Sequence, residues 1–519
     1  MLRISNVKVS VLDNTDEHIK KKIEKLIHNK INSFKIVKKS IDARKELLFV
    51  YTFDIEVDNE EKVLKENNNV IKTPNEEYTF PELGNEELTN RPVVVGSGPA
   101  GLFLGYFLSK YGYKPIIIER GEKIEDRVKS VDEFWKTNKL NENSNPIFGE
   151  GGAGTFSDGK LNTLVKDKYN RIREVFKIFV EAGAPEEIMY ENKPHIGTDV
   201  LRNVVINLRN KIVNYGGEFR YNTCLTNLVI NNNKLEKIIV NNNEEIITNN
   251  VFLAIGHSAR DTYYMLNDNN IKMLPKPFAV GLRIIHKEEQ ISKDLYGDNY
   301  KLLDPANYKL TYTTKEGRGV YSFCMCPGGY VINASSEKGY LSINGMSDYK
   351  RDSKFSNSAL VVTVNSNDYG NGLFDGLNFQ KDLERKAYEI GNGNIPVQKY
   401  EDFVNNKVNE VKTDGIKGSY VSKNLNLILP EYISSSIKEA MPHFSKIINS
   451  FEKDAILLGT ESRTSSPLTI LRNEDGMSNI EGIYPVGEGA GYSGGITTSA
   501  VDGIIQAENF AKRFKPLID

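Results

Sequence analysis

The sequence predicts an α/β fold: a parallel sheet with an inserted β-meander, a mixed-sheet α+β domain, and a small β-α-β-β module at the N-terminus. Three observations predict this architecture. Residues Arg91–Gly121 follow the order strand, glycine turn, helix, strand, which is how a parallel sheet begins. Short alternating segments between Gly217 and Ile255 indicate a meander, and the chain from about 260 to 455 is rich in strand-forming runs.

Length and composition limit the classes of protein to consider. The 519 residues, with a mass of 58.5 kDa, are enough for two or three domains. A net charge of −2 gives no basic field for nucleic acid, and no stretch approaches the roughly 20 apolar residues of a membrane helix. Because the N-terminus lacks a signal-peptide core and three cysteines make no disulfide framework, we expect a cytoplasmic protein that binds neither nucleic acid nor membrane.

Residues 1–85 form a unit of their own in the sequence pattern. A polar, acidic linker, Asp58–Asn90, separates this unit from the glycine turn. Alternation and helical periodicity predict strands at Leu2–Leu12, Ser33–Arg44 and Glu46–Val57, and a helix at His18–Asn32. We expect a packing or docking module without chemistry.

The glycine turn Gly96–Gly101 has the spacing G-x-G-x-x-G between the strand Val93–Val95 and a helix. The first glycine permits the sharp turn, the second lets backbone approach a pyrophosphate, and the third lets helix and strand pack closely. The helix N-terminus attracts phosphate, and Glu119, 21 residues after Gly98, is placed to accept from ribose hydroxyls. The residues expected to bind a dinucleotide at this turn are Gly96, Gly98, Pro99, Ala100, Gly101, Glu119 and Arg120.

A second glycine-rich stretch, Phe148–Lys160, contains five glycines and follows the charged, helical segment Glu122–Leu140. Such a stretch is either a flexible linker or a backbone surface that approaches a flat ligand closely. Small and hydroxyl residues alternate in it without a charge run, which favours the ligand-facing alternative. Gly152, Gly154 and Thr155 are its predicted cofactor contacts.

The middle of the chain is predicted to leave the parallel sheet and return to it. Helices are expected at 170–182 and at Val200–Tyr215, the latter capped by Thr198 or Asp199. The meander strands are expected at Gly217–Asn222, Leu225–Asn231, Leu235–Val240 and Glu245–Ile255. The last strand closes in Ala254-Ile255-Gly256, so Ala254 and Gly256 are expected beside the cofactor. His257 is expected to face either the edge of the cofactor or solvent.

The second domain and the C-terminal segment complete the pattern. Strands are expected at Phe278–His286, Leu310–Thr314, Gly319–Cys324, Tyr330–Ala334 and Ala359–Asn365, and helices at Phe379–Ile390 and Ser434–Phe451. Near the C-terminus a strand ends in Gly487-Glu488, whose carboxylate suits a polyol hydroxyl. A helix then begins near Gly494, Gly495 and Ile496, where its dipole stabilises negative charge on a ring.

These segments resemble FAD proteins with two dinucleotide folds, the superfamily of glutathione reductase and p-hydroxybenzoate hydroxylase. Gly96, Gly98, Gly101 and Glu119 match its ADP-binding half, and Gly487-Glu488 stands where the superfamily has Gly-Asp. More closely, the chain resembles a family of uncharacterised bacterial FAD-dependent dehydrogenases. The stretches that carry this resemblance are Gly151–Leu161, Pro194–Asp199, Ser322–Gly329, Gly459–Pro467 and Gly487–Ala500.

The resemblance implies an FAD enzyme with a cofactor domain and a substrate domain. The predicted Rossmann-like FAD-binding domain comprises residues 90–165, 216–262 and 455–519, and the substrate domain residues 166–215 and 263–454. The expected function is an oxidoreductase that transfers hydride between the flavin and a small organic substrate. An NAD(P)H-dependent flavin monooxygenase and a partner-dependent or non-catalytic flavoprotein are the alternatives. Because the strand, glycine turn, helix and strand of Arg91–Gly121 are not repeated as a unit elsewhere in the sequence, NADH or NADPH is expected only as a transient donor, and a redox partner protein stays open.

Four residues are candidates for chemistry beside the flavin. Cys324 and Cys326 would point to one face of a strand, although redox pairs usually have two intervening residues and cysteine is also a common core residue. His195 precedes a helix and is either an acid or base or a structural residue. Arg463 either holds an anionic substrate or reduced flavin, or pairs internally with Glu461. Among the six histidines, metal-ligand spacing is absent.

Overall fold

The computed structural model describes residues 1–163 and 165–517, and all helices and strands named below belong to this part of the chain. The N-terminal module is a four-stranded antiparallel sheet, of order β2-β3-β1-β4, with two helices packed on it. Its elements are β1 Leu2–Ser10, α1 Asp16–Ile27, β2 Ser33–Asp42, β3 Leu48–Glu56, α2 Glu60–Glu66 and β4 Val70–Lys72. Ile19, Ile23 and Ile27 recur on one face of α1 and bury it against the sheet.

The β-α-β-β order predicted for the N-terminus is confirmed, and the predicted linker Asp58–Asn90 is in part wrong. Helix α2 and strand β4 occupy the start of this segment, because Val63 and Val70 enter the core of the module. Short polar segments of this kind carry too few apolar residues for a periodic signal.

The glycine turn opens a five-stranded parallel sheet. The elements of this part of the chain are β5 Val93–Val95, α3 Pro99–Lys110, β6 Ile116–Ile118, α4 Ile124–Thr137, α5 Arg171–Glu181, α6 Thr198–Asn214, β7 Glu218–Arg220, β8 Leu225–Asn231, β9 Lys234–Val240, β10 Glu244–Ile247, β11 Val251–Leu253 and α7 Arg260–Asp268. Helix α3 is buried along almost its whole length, so its apolar residues do not form a single stripe.

The remaining elements build the second domain and then return to the parallel sheet. They are β12 Met273–Pro275, β13 Phe278–Lys287, α8 Glu288–Tyr296, β14 Thr311–Thr313, β15 Gly319–Cys326, β16 Tyr330–Asn333, β17 Ile343–Met346, β18 Phe355–Val364, α9 Ser366–Tyr369, α10 Asp375–Gly391, β19 Ile395–Lys399, α11 Tyr400–Val404, β20 Ile416–Lys417, β21 Tyr420–Ser422, α12 Glu431–Ser445, β22 Ile456–Glu461, β23 Leu468–Ile470, β24 Ile483–Pro485 and α13 Ile496–Arg513.

The sheet topology matches the predicted α/β architecture. The parallel sheet has the order β24-β11-β5-β6-β7, and the meander β8–β10 forms a separate antiparallel sheet between β7 and β11 in the chain. The second domain has a seven-stranded mixed sheet of order β14-β15-β18-β13-β22-β19-β21. Its core is the largest apolar cluster of the described residues and is covered by α12.

Several predicted boundaries are wrong, each for a local reason. The segment Gly217–Asn222 belongs to the edge of the parallel sheet as β7, and the predicted strand Glu245–Ile255 is two strands, β10 and β11. Helix α6 begins at Thr198 itself, with Gly197 at the cap position. Helix α12 includes Pro442 and ends at Ser445 rather than Phe451, because Lys446 and Ile447 donate to the carbonyl three residues back and the chain leaves the α-helix in tight turns.

Candidate functional site

One long cleft connects the parallel sheet with the seven-stranded sheet. At one end it is lined by residues at the carboxyl ends of β5, β6, β11 and β24, where α/β sheets bind ligands. At the other end its walls come from β15, β17 and the end of β22. The cleft contains about 1600 Å³ of empty space, part of it continuous with solvent.

Glycines form much of the wall at the parallel-sheet end. Gly96 needs its left-handed φ of 101°, and a Cβ there would lie 2.3 Å from the carbonyl oxygen of Ala254. By contrast, apart from each glycine and its two neighbours in the chain, no atom of the described residues lies within 4 Å of the positions that Cβ atoms would take at Gly256, Gly494 and Gly495. Side chains at these three glycines would therefore project into the cleft.

Glu119 joins three loops at the rim of the cleft. One carboxylate oxygen accepts from the backbone N–H and hydroxyl of Ser97, at 3.0 and 2.8 Å. The other oxygen accepts from the N–H groups of Gly121 and Gly149, at 3.0 and 3.1 Å. Glu119 thus ties the first glycine turn to the second glycine-rich stretch.

Arg127 holds the second glycine-rich stretch in place. It extends from α4, is fully buried, and donates to the carbonyl oxygens of Asn145, Gly149, Glu150 and Gly152. Burial lowers the pKa of Arg127 to about 9. A buried guanidinium that binds four carbonyls fixes the loop backbone that lines the cleft.

Glu488 is the free carboxylate of the cleft. No donor within residues 1–163 and 165–517 hydrogen-bonds to its side chain. Burial raises the pKa of Glu488 to about 7, and Lys276 opposes this shift. A half-buried carboxylate without a protein partner suits a ligand hydroxyl that donates to it. The N-terminus of α13 lines the same part of the cleft through Gly494, Gly495 and Ile496.

An Arg–Glu pair stands at the second-domain end of the cleft. Arg283 on β13 is fully buried and donates to Glu461 Oε2 at 3.0 Å. The same guanidinium donates to the side-chain oxygens of Asn357 and Asn344, at 2.7 and 3.1 Å, and to the carbonyl of Cys324 at 3.2 Å. This network fixes the backbone from which Cys324 reaches the cleft.

A second charged cluster lies beside Cys326. Lys160 Nζ is 3.1 Å from Asp158 Oδ2 and 3.9 Å from the Cys326 sulfur. Arg351 Nε donates to Asp158 Oδ1 at 3.0 Å. Burial alone would raise the pKa of Asp158, but Lys160 and Arg351 outweigh it and bring the pKa to about 2. With two cations on one carboxylate, this wall of the cleft has an excess positive charge.

The structure places His195 outside the cleft. Its Nε2 lies 2.9 Å from the carbonyl oxygen of Tyr349, and the two rings stack. The backbone segment around His195 pairs with that around Lys160, which is how the histidine comes near the cleft without facing it. Burial and then Arg351 lower the pKa of His195.

Arg463 lines the cleft, and its partner differs from the predicted Glu461. It forms two 2.8 Å hydrogen bonds with Glu384, which is fully buried and also binds Arg260 of α7. Glu337 is the second acid of this group. The predicted internal pairing of Arg463 is therefore found with another acid, because Glu461 is bound by Arg283.

The cleft gathers most of the residues predicted to bind a cofactor. Those that line it are Gly96, Gly98, Pro99, Ala100, Glu119, Arg120, Gly152, Gly154, Ala254, Gly256, Glu488, Gly494, Gly495 and Ile496, together with Cys324, Cys326 and Arg463. Gly101, Thr155 and Gly487 lie behind its wall: the first packs on Gly96, the second has a buried side chain, and the third approaches Ala100.

The sequence pattern does not single out Lys160, Asp158, Asn344 or Arg127 as parts of this site. The charged pair Asp158 and Lys160 at the end of a glycine-rich stretch is an available signal. Arg127 and Asn344 have none, because a single polar residue in a charged helix or a short strand is ordinary. His257, expected to face either the cofactor or solvent, lines the cleft, and burial with Arg463 lowers its pKa to about 4.

Two segments of the chain match families of FAD-binding proteins. Residues 91–132 match the family described as FAD binding domain, residues 277–464 match FAD-dependent protein, C-terminal domain-like, and residues 1–56 match a domain of unknown function. An uncharacterized protein of Clostridium beijerinckii is 44% identical over 99% of both chains. Among solved structures, glycine oxidase from Bacillus cereus is 10% identical over 81% of this chain and 94% of its own, with a TM-score of 0.34. E. coli quinol fumarate reductase is 10% identical over 83% of this chain and 70% of its own, with a TM-score of 0.35.

Proposed function

This chain belongs to one family with the Clostridium beijerinckii relative, and its residues 91–132 match the FAD binding domain, so we propose that it is an FAD-dependent oxidoreductase. Its reaction is hydride transfer between the flavin and a small organic substrate. The observation that carries the proposal is the continuity of the cleft, which runs from the glycine turn to the polar side chains of the seven-stranded sheet.

The residues of the cleft fit FAD. The open positions at Gly256, Gly494 and Gly495 leave room for a ligand that approaches the backbone closely. Gly98 and the N-terminus of α3 suit the pyrophosphate, and Glu488 offers unused acceptor oxygens to a polyol such as the ribityl chain. When bound, the flavin itself supplies the hydride chemistry.

The protein's own groups would position the substrate at the other end. Asn344 and Arg463 line the cleft there, Asn344 positioned by the hydrogen bond that its side-chain oxygen accepts from Arg283 and Arg463 by those that it donates to Glu384 and Ser336. A second groove adjoins the cleft and shares Phe323 and Thr464 with it; its other walls are mainly apolar, from Pro277, Phe278, Ala279 and Tyr321, with Thr363 and Ser465. An apolar annex beside polar side chains suits a small organic molecule.

The electron donor is a separate part of the proposal. A nicotinamide would reach the flavin transiently, since the strand–turn–helix–strand unit of Arg91–Gly121 is not repeated in the sequence to hold a second dinucleotide. Anaerobic mixing with NADH or NADPH, followed by the absorbance of bound flavin, decides this point. Fast bleaching supports a nicotinamide donor and directs the search to the acceptor, oxygen included. Absence of bleaching makes the substrate itself or a partner protein the reductant.

The variant Gly494→Val tests the proposed cofactor site. Gly494 lies in the cleft wall without a left-handed φ and with no neighbour near its missing Cβ, so valine leaves the fold intact and fills ligand space. We expect the purified variant to contain little FAD. After flavin removal, its thermal midpoint should equal that of the flavin-free unmodified protein.

The matched control for this experiment is Gly319→Val in strand β15. Gly319 lies outside the cleft, also lacks a left-handed φ, and a Cβ there meets only the hydroxyl of Thr363, at 3.2 Å. Valine suits a strand, so this variant should keep its FAD. Full FAD occupancy in Gly494→Val would contradict the assignment of the cofactor site.

A further inference from the structure

Strand β15 contains an irregularity at the point where it reaches the cleft. Its pairing with β18 is regular from Val320 to Phe323 and then shifts by one residue before Cys326. Cys324 lies in this bulge with a φ of 41°. A non-glycine residue in the left-handed region is strained and persists only where its surroundings enforce it.

The bulge decides which way both thiols point. Val320 faces the core of the second domain, so regular alternation would send residues 322, 324 and 326 the same way. The extra residue lets Met325 take the core position instead. Cys324, which is exposed, and Cys326, which is buried, both line the cleft as free thiols. Bulges commonly re-aim a side chain next to an active site.

Cations stand next to the two cysteines. Lys160 Nζ is 3.9 Å from the Cys326 sulfur, and Arg283 donates to the Cys324 carbonyl. Loss of solvation between the walls of the cleft raises the pKa of each thiol, and Lys160 and Arg283 oppose that shift. Both groups therefore start as thiols, and the cations lower the cost of a passing thiolate.

We propose that Cys324 and Cys326 form a dithiol/disulfide couple that exchanges two electrons with the bound flavin. This inference rests on the proposed FAD site. In the oxidising direction two S–H bonds break, one S–S bond forms, and FAD takes up the two electrons and two protons to become reduced FAD. The reverse step splits the S–S bond and returns FAD to its oxidised form.

The covalent geometry permits the bond. Two residues of extended chain span at most about 7 Å, at the upper end of the Cα–Cα range of disulfides. A bond between residues two apart is strained, and strained disulfides are the labile ones that take part in exchange.

An anaerobic reductive titration of the holoenzyme, after treatment with diamide, counts the electrons. We expect about four electrons per bound FAD, two for the flavin and two for the disulfide. Denatured protein should show one free thiol, Cys224, before reduction and three afterwards. Cys324→Ser and Cys326→Ser should each take up about two electrons per FAD, whereas Cys224→Ser should keep about four.

Two results would overturn the couple while leaving the flavin assignment in place. The first is a count of three thiols after diamide, and the second is about two electrons per FAD in disulfide-containing protein. If the protein binds no FAD, its absorbance spectrum lacks the flavin bands. That result would contradict both the FAD proposal and the dithiol couple. Peptide mapping for a Cys324–Cys326 disulfide gives a readout that does not depend on the flavin.

Discussion

The two carboxylates Glu119 and Glu488 line the same cleft but differ in their hydrogen-bond partners. Both Glu119 and Glu488 are predicted from the sequence to accept hydroxyl hydrogen bonds from the cofactor. The oxygens of Glu119 already accept four hydrogen bonds from protein donors, so this residue organises the loops around the cleft. The carboxylate oxygens of Glu488 accept none from the described residues and leave their capacity for a ligand. We therefore expect the two to respond differently to replacement.

Replacing Glu488 by Gln should stabilise flavin-free protein at pH 8 and change little at pH 5. The unfolded chain ionises this group near its ordinary value of 4.5, whereas the folded protein does so only near 7. The folded state therefore binds the extra proton between these values, and its stability falls as pH rises from about 4.5 to 7. Allowing for solvent access, the gain at pH 8 is about 2 kcal/mol or less. Thermal midpoints at the two pH values measure it.

Glu119→Gln is the matched control for that experiment. The carboxylate of Glu119 now accepts hydrogen bonds from backbone N–H groups on both of its oxygens. Gln would set an amide N–H₂ group against some of these donors, so the change should lower the thermal midpoint of flavin-free protein. A stabilising effect of Glu119→Gln, or an equal effect of Glu488→Gln at both pH values, would contradict the assignment of the two roles.

At the scale of elements, the contact between the glycine turn and α3 depends on one missing side chain. A Cβ at Gly101 would lie 1.9 Å from the carbonyl oxygen of Gly96, which is backbone and cannot move without opening the turn. Gly101→Ala should therefore lower the unfolding free energy by about 3 kcal/mol or more, or prevent folding. Gly105→Ala, one turn further along α3, meets only side-chain atoms, Ile117 Cδ1 and Cγ1 at 3.1 and 3.2 Å and Ile212 Cδ1 at 3.9 Å, and should cost much less. Thermal unfolding of the two variants tests this difference.

Much of the fold follows from local signals. The glycine spacing and the apolar strands around it identify the parallel sheet, and periodicity locates α5, α10 and the long strands. Local signals fail where pairing decides the outcome: β7 resembles a meander strand but joins the parallel sheet, and one predicted strand divides at Thr248–Asn250.

The same limit applies to the candidate site. The alternation of β15 predicts that Cys324 and Cys326 share a face, but the bulge that turns this face toward the cleft depends on β18. The partners of Arg463 and His195 come from segments distant in the chain, Glu384 and Tyr349. Sequence reasoning can select charged and titratable residues as candidates, and it cannot choose their partners.

At the scale of the whole molecule, three units are joined by specific ion pairs. The N-terminal module contacts the remainder through Lys39 and Glu191, 2.8 Å apart. The parallel-sheet region and the second domain meet at Glu384 of α10, which forms ion pairs with Arg260 of α7 and with Arg463. Among the described residues, none of the helices is long and apolar enough to span a membrane, and no group of three metal-binding side chains occurs.

Glu384→Gln should uncouple the second domain from the parallel-sheet region. The carboxylate is fully buried, and the side chains of Arg260 and Arg463 are 4% and 6% exposed. With Glu384 neutral, the two buried guanidinium groups share only Glu337, which is partly exposed, and breaking a buried ion pair typically costs about 3–5 kcal/mol. Because Arg463 also lines the cleft, the loss should appear both as a lower thermal midpoint and as a separation of the calorimetric transitions of the two domains.

The control is Glu142→Gln, which weakens an exposed pair with Lys338 at 3.6 Å that also spans two parts of the molecule. A surface pair of this kind contributes about 0–1 kcal/mol, so its loss should leave a single transition nearly unmoved. If Glu384→Gln behaves like this control, the cleft is held together by apolar packing rather than by its buried charges, and the rigidity of Arg463 has another source.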